Sequence, residues 1–167
     1  GWENYILGVI HEISKRTDKL KGFDCTIESH LPIGSGVSSS AALECGLASG
    51  LNALFELGLE KWDIIKLSQT AEHDFVGTKC GIMDQFASVM GKKDHVMLLD
   101  CMTLDFKYIP IDIAPYRMLL LNTNVTHNLV SSEYNIRRTQ CEKGLEILRK
   151  NFGSEITFRN ATESLLE

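Results

Sequence analysis

The spacing of apolar residues divides the chain into a helical first half, a strand-rich middle and a helical end. In "GWENYILGVIHEI", Trp2, Tyr5, Ile6, Val9, Ile10 and Ile13 recur at helical spacing, which predicts a helix over 2–13 with these residues facing the core. A turn at "DKLKG" follows, and Phe23, Cys25 and Ile27 alternate with polar neighbours as in a half-buried strand. Pro32 and the glycines of "LPIGSG" break that pattern. The run "VSSSAALECGLASGLNALFEL" then predicts a long apolar helix over 37–57, ended by Gly58. A second helix is predicted over 60–74, with Trp62, Ile65 and Ala71 on its apolar side and Phe75 just beyond it.

Past that point the period changes. "VGTKCG" reads as loop and "IMDQFASVMG" as a short helix stopped by Gly91. "HVMLLD", "LDFKYIP" and "YRMLLLNTNV" are three strand candidates punctuated by Pro110 and Pro115. A helix over 131–150 and a short one near 161–166 complete the pattern. Helices and strands are mixed without a regular βαβα alternation, so the expected class is α+β.

Composition narrows the function without naming it. The 167 residues, 44% hydrophobic and 23% charged, make an ordinary globular chain with enough apolar surface for a core. A net charge of −5 offers no electrostatic case for nucleic acid or an anionic membrane surface. No apolar run approaches the roughly 20 residues of a membrane-spanning helix, and the opening residues lack the layout of a secretory signal. Cys25, Cys45, Cys80, Cys101 and Cys141 are scattered, odd in number and without a CxxC pair. They are expected as reduced thiols in a cytoplasm, each serving as a small core residue.

The chemistry gathers in two stretches. In "LPIGSGVSSSAALE" the loop 34–40 leads into a helix, but the Walker lysine, the third glycine of a dinucleotide fingerprint and the G-x-S-x-G of a nucleophile elbow are all missing. What remains suffices for phosphate: Gly34 and Gly36 allow close backbone approach, and the next helix points unpaired N–H groups at the same spot. Ser hydroxyls add donors and can ligate Mg²⁺, although serine-capped glycine turns without any ligand are common. The second stretch, "AEHDFVGTKCGIMDQFAS", sets Glu72, His73, Asp74 and Asp84 around a glycine-containing loop. Glu72 suits a metal ligand and Asp84 a carboxylate beside an acceptor hydroxyl, as phosphoryl transfer requires. The alternative is a set of solvated helix-end charges. His73 has no metal-ligand spacing around it and is expected only to pack or face solvent.

Together with "NTNVTHNLVSSEYNIRRTQCE", these stretches resemble the galactokinase branch of the GHMP small-molecule kinase superfamily, in order and over nearly the whole chain. The serine loop alone indicates the superfamily, whereas "CGIMDQFAS" followed by "SSEYNIRR" points to the galactokinase branch. The resemblance implies a GHMP N-terminal domain of the ribosomal protein S5 domain 2-like fold over 1–130, incomplete at its start, and the beginning of the second GHMP domain over 131–167. It implies ATP and Mg²⁺ as cofactors and galactose as substrate, with phosphoryl transfer to the anomeric C1 hydroxyl. Gly34, Ser35, Gly36, Val37, Ser38, Ser39 and Ser40 would wrap the ATP phosphates, and Trp2 and Tyr5 would lie near the adenine. Ser40 and Glu72 match the Mg²⁺ ligands, Asp84 the catalytic aspartate, and Gly81 and Tyr134 the sugar contacts.

Thr126 stands where many relatives carry a basic residue and receives no role. The family's arginine-bearing N-terminal segment and glycine-rich C-terminal motif are not in the sequence, so the chain is expected to be a middle slice, inactive alone and prone to self-association. A sugar and ATP sensor of galactokinase type is a rival, although "SSSAA" and Asp84 are both intact. A kinase for a related sugar such as N-acetylgalactosamine is a closer rival. A serine hydrolase lacks both the elbow and a paired histidine.

Overall fold

The computed structural model describes residues 1–121 and 133–165. Four helices form early in the chain: α1 (Glu3–Ser14), α2 (Ser39–Leu54), α3 (Lys61–Ala71) and α4 (Met83–Met90). Val9 and Ile13 of α1 are fully buried against Cys45, Ala48 and Leu51 of α2 and Ile64, Leu67 and Ala71 of α3. Burying each large aliphatic side chain stabilises the fold by about 1.5–3 kcal/mol. The helices come together closely at Gly8, where an added Cβ would lie 2.9 Å from the Ala71 Cβ. At the start of α3, the amide of Glu60 donates to the Asp63 carboxylate at 2.9 Å as half of a capping box.

A second apolar cluster joins α4 to a hairpin. Strands β1 (His95–Leu99) and β2 (Phe106–Pro110) pair antiparallel, with Met97 opposite Tyr108. Ile65, Phe86 and Met90 pack against Trp62, Met97, Leu99 and Phe106, and the Phe86 and Phe106 rings meet edge to face at 5.1 Å. The Tyr108 hydroxyl donates to the Met90 carbonyl at 2.7 Å, which ties the hairpin to the end of α4. Helices packed on a small antiparallel sheet make the α+β class that the sequence predicts.

Several expectations need correction. Residues 23–27 form no strand: Phe23 packs beside Phe55, but Cys25 and Ile27 are exposed. Alternation defines which side a strand would bury, but a ladder also needs a neighbouring edge, and none is paired here among the described residues. Residues 116–121 are likewise not a strand and stand exposed, while the rest of that candidate lies outside the described residues. Helix α2 ends at Leu54, three residues early, because the Asn52 amide side chain grips the next connection. It accepts from the Leu59 amide at 2.9 Å and donates to the Leu59 carbonyl at 3.0 Å. All five cysteines are free thiols, yet only Cys45 is buried, while Cys25, Cys101 and Cys141 are exposed. Trp2 is 62% exposed, not core, because it precedes the first turn of α1.

The chain falls into two compact units, one up to Asn128 and one from Leu129 onward. In the second, α5 (Glu133–Phe152) carries an Arg138–Glu142 ion pair one turn apart at 2.8 Å. The tail folds back on it, with the Arg149 side chain donating to the Ile156 carbonyl at 3.1 Å, and ends in a 3₁₀ turn, Glu163–Leu165.

Candidate functional site

The glycine-serine loop bends sharply before α2. Gly34 and Gly36 have φ of +71° and +77°, and Ser38, the residue ahead of the helix, has φ of 57°. Such values cost a side chain with a Cβ, so glycine is the natural residue at the first two. The Ser35 hydroxyl donates to the Pro32 carbonyl at 2.8 Å and holds the bend. Space at both glycines is open, with nothing within 4 Å of where a Cβ would stand. Val37, Ser38, Ser39 and Ser40 are half-buried along the entry to α2, whose first N–H groups have no carbonyls of their own helix to bond. The result is an open concave backbone at a helix N-terminus, a geometry suited to an anion.

Directly beneath it the chain buries acid. The regular helix α3 stops at Ala71 and widens into a single π-helical turn, Glu72–Val76, closed by Gly77 at φ +84°. Glu72, the first residue of that turn, is 3% exposed. Burial raises its carboxyl above the usual range and the nearby charge of Asp84 adds to this, while donors on Cys80 and Ser40 pull it down. The Gln85 side-chain amide donates to the Glu72 carboxylate at 2.8 Å. Glu44, one turn after Ser40 on the same side of α2, is fully buried beside them. Burial first, and then the Glu72 charge, push the Glu44 carboxyl up to about 9, so it keeps its proton near neutral pH. Neither of its oxygens has a partner of good hydrogen-bond geometry, although Gln85 and Glu72 lie against it.

Most of the remaining candidates surround this centre. Asp84 is exposed in the first turn of α4, close enough to Glu72 to act on its charge, and Gly81 is exposed in the loop before that helix. The His73 imidazole donates from Nε2 to the Cys80 carbonyl, 2.8 Å away, and so holds that loop. Burial drives the Cys80 thiol up to about 12 and the Cys45 thiol to about 11, which leaves both unreactive. Tyr5 is half-buried, its phenol raised by burial and then by Glu72 and Glu44. Trp2 stands exposed at the head of α1, and Tyr134 lies exposed on α5 in the other unit. Thr126 falls outside the described residues.

Two members of the centre escaped the sequence reading, Glu44 and Gln85. The signals were present: an acid inside the apolar run "AALECGLASGL", four residues after Ser40, and an amide next to Asp84. Among the described residues no group of three or more His, Cys, Asp or Glu is arranged to hold a metal. A hard dication nevertheless fits this donor set. Such an ion takes oxygen ligands, and the Ser40 hydroxyl and the Glu72 carboxylate would supply two of them.

Comparison with known proteins bears on the family and the fold. The family model described as GHMP kinases N terminal domain matches residues 4–92. The chain is 48% identical over 166 residues to a galactokinase of Thermosipho africanus, covering 99% of this chain and 46% of that protein. It is 52% identical over 151 residues to a galactokinase of Clostridium tetani, covering 90% and 38%. Among solved structures it superposes on the Lactococcus lactis galactokinase complexed with galactose, with a TM-score of 0.84 and 28% identity over 98% of this chain and 42% of that one. The chain thus spans less than half the length of these relatives. With more than half of its residues matched by the family model, it belongs to the GHMP kinases and carries their N-terminal domain.

Proposed function

We propose that this chain contributes the phosphate-binding loop and the catalytic carboxylate of a galactokinase, which transfers the γ-phosphoryl group of ATP to the anomeric hydroxyl of galactose. The observation that carries the reading is convergence: Ser40 at the end of the open loop, Glu72 in its π-helical turn and Asp84 at the head of α4 share one electrostatic centre. The similarity to galactokinases, one of them solved with galactose bound, supports the choice of sugar.

In this reading the loop 34–40 holds the ATP phosphates through backbone N–H groups, and the N-terminus of α2 supplies positive potential in place of a lysine. Ser40 and Glu72 hold Mg²⁺, which when bound neutralises charge on the phosphates. Asp84 accepts the proton of the sugar hydroxyl or orients that hydroxyl, and its exposure leaves room for the sugar. Gly81, without a side chain at the rim, and Tyr134 are assigned to the sugar. Trp2 and Tyr5 are assigned to the adenine end, where the exposed Trp2 ring offers a stacking face. Residues 1–130 form the N-terminal GHMP domain and 131–167 begin the second. Five free thiols are in keeping with a reducing cytoplasm.

The test is Asp84→Asn in the complete gene product. Turnover should fall by about 10²–10⁴-fold, the range for a lost general base, with ATP binding retained. Near-normal galactose-dependent ADP release by this variant would remove Asp84 from the mechanism.

A further inference from the structure

Gln85 is an unusual choice for its position. It is fully buried on a short helix, between Asp84 and the core residue Phe86, where an apolar side chain would pack without a hydrogen-bonding demand. Its amide nitrogen is 2.8 Å from the Glu72 carboxylate and 3.6 Å from the Cys80 sulfur, while its side-chain carbonyl is buried with no partner. Its backbone carbonyl lies 3.8 Å from the Cys45 sulfur of α2, so the residue is anchored at both ends. An amide committed to one carboxylate and left unsatisfied on its other side is poor packing for a core.

We propose that Gln85 is a positioning residue: its amide fixes the Glu72 carboxylate relative to Asp84, its neighbour in sequence. The inference rests on the reading of Glu72 as a ligand of the metal-nucleotide complex. Glu72 sits at the start of a widened turn, where the helix that carries it no longer sets the side chain's direction by regular geometry. A donor on α4 supplies that direction from outside. Because the same helix carries Asp84, one hydrogen bond sets the spacing between metal ligand and base. Partners that orient a ligand in this way are worth about 10–100-fold in metal affinity.

Gln85→Met separates this role from a structural one, since methionine matches the side chain's length and cannot donate to Glu72. The measurement is binding of Mn²⁺ with a non-hydrolysable ATP analogue to the complete gene product, by calorimetry, beside thermal melting of the metal-free protein. We expect Mn²⁺ affinity to fall about tenfold or more, the KM for galactose to stay within about twofold, and the melting temperature to hold or rise. If Gln85→Met does not fold, Gln85→Asn, which withdraws the amide by one methylene, should show the same loss. Glu72→Gln is measured in parallel. Unchanged Mn²⁺ affinity in the Gln85 variants, with a large loss in Glu72→Gln, overturns the positioning role and leaves the kinase reading standing. Unchanged affinity in Glu72→Gln overturns the metal-ligand reading and this proposal with it. A Gln85 variant that loses melting temperature and galactose affinity in step with Mn²⁺ shows a structural residue and also overturns the proposal.

Discussion

The loop 34–40 and the acid centre beneath it are both polar and lie at opposite ends of the first turn of α2, yet they solve opposite problems. The loop leaves its backbone in the open: two glycines with positive φ, open space at each, and a helix N-terminus ahead. The centre hides its groups: Glu44 and Gln85 are fully buried, Glu72 nearly so, and several of their polar atoms lack good partners. An open site keeps its polar groups hydrated until a ligand arrives, so it costs the fold little. A buried one is desolvated permanently, so its charge state is set by the fold. Changes in the loop should therefore appear in ligand binding, and changes in the centre in stability and pH dependence.

Among changes confined to the loop, the largest loss of nucleotide affinity should come from Gly36→Val. Nothing crowds the new side chain, but a β-branched residue at φ +77° is strained and fills the open cradle. Filling the cradle should lower nucleotide affinity by about tenfold or more, while the melting temperature moves less, because an exposed loop can relax the strained φ. Titration calorimetry with ATP and a thermal melt check this together. Equal losses in both would show that the loop is structural and would erase the contrast with the centre.

Ser40 lies where the two regions meet, and Ser40→Ala should give a smaller and more selective loss. Under the proposed metal role, removing the Ser40 hydroxyl should weaken nucleotide binding in the presence of Mg²⁺ by a few-fold, in the range of one hydrogen bond or ligand contact. Binding of the metal-free nucleotide should be nearly unchanged. An equal loss with and without Mg²⁺ would place Ser40 in the phosphate cradle alone.

A pH profile is the most diagnostic test of the buried region. The Glu44 carboxyl is raised from its ordinary 4.5 to about 9, so the folded protein holds a proton that the unfolded chain has released between these values. Stability from this group is thus fully present below about pH 4.5 and is lost as pH rises toward 9. Glu44→Gln, neutral throughout, should flatten the fall in metal-free melting temperature across that window. An unchanged slope would mean that Glu44 titrates alike in the folded and unfolded states, and the centre would then be no more closed than the loop.

The contrast also explains what could be read from residues alone. Helices α1, α3, α4 and α5 were legible because apolar residues at helical spacing need only their own neighbours in sequence, and β1 and β2 because each run of alternation is bounded by turn residues. The loop was legible for the same reason: glycine permissiveness and the unpaired amides of a helix start are local properties. Tertiary structure decided the rest. Phe23, Cys25 and Ile27 had a strand's alternation but no paired edge among the described residues. Asn52 ended α2 early by reaching a loop seven residues away. Glu72 stood out in the sequence as a metal-ligand candidate and Glu44 did not, but only packing of α2, α3 and α4 removed their water and set them beside one amide from Gln85. Sequence determined which polar groups stand at the loop and the helix start; only the packed fold decided which carboxyl keeps its proton, because desolvation and charge proximity arise between segments far apart in the chain.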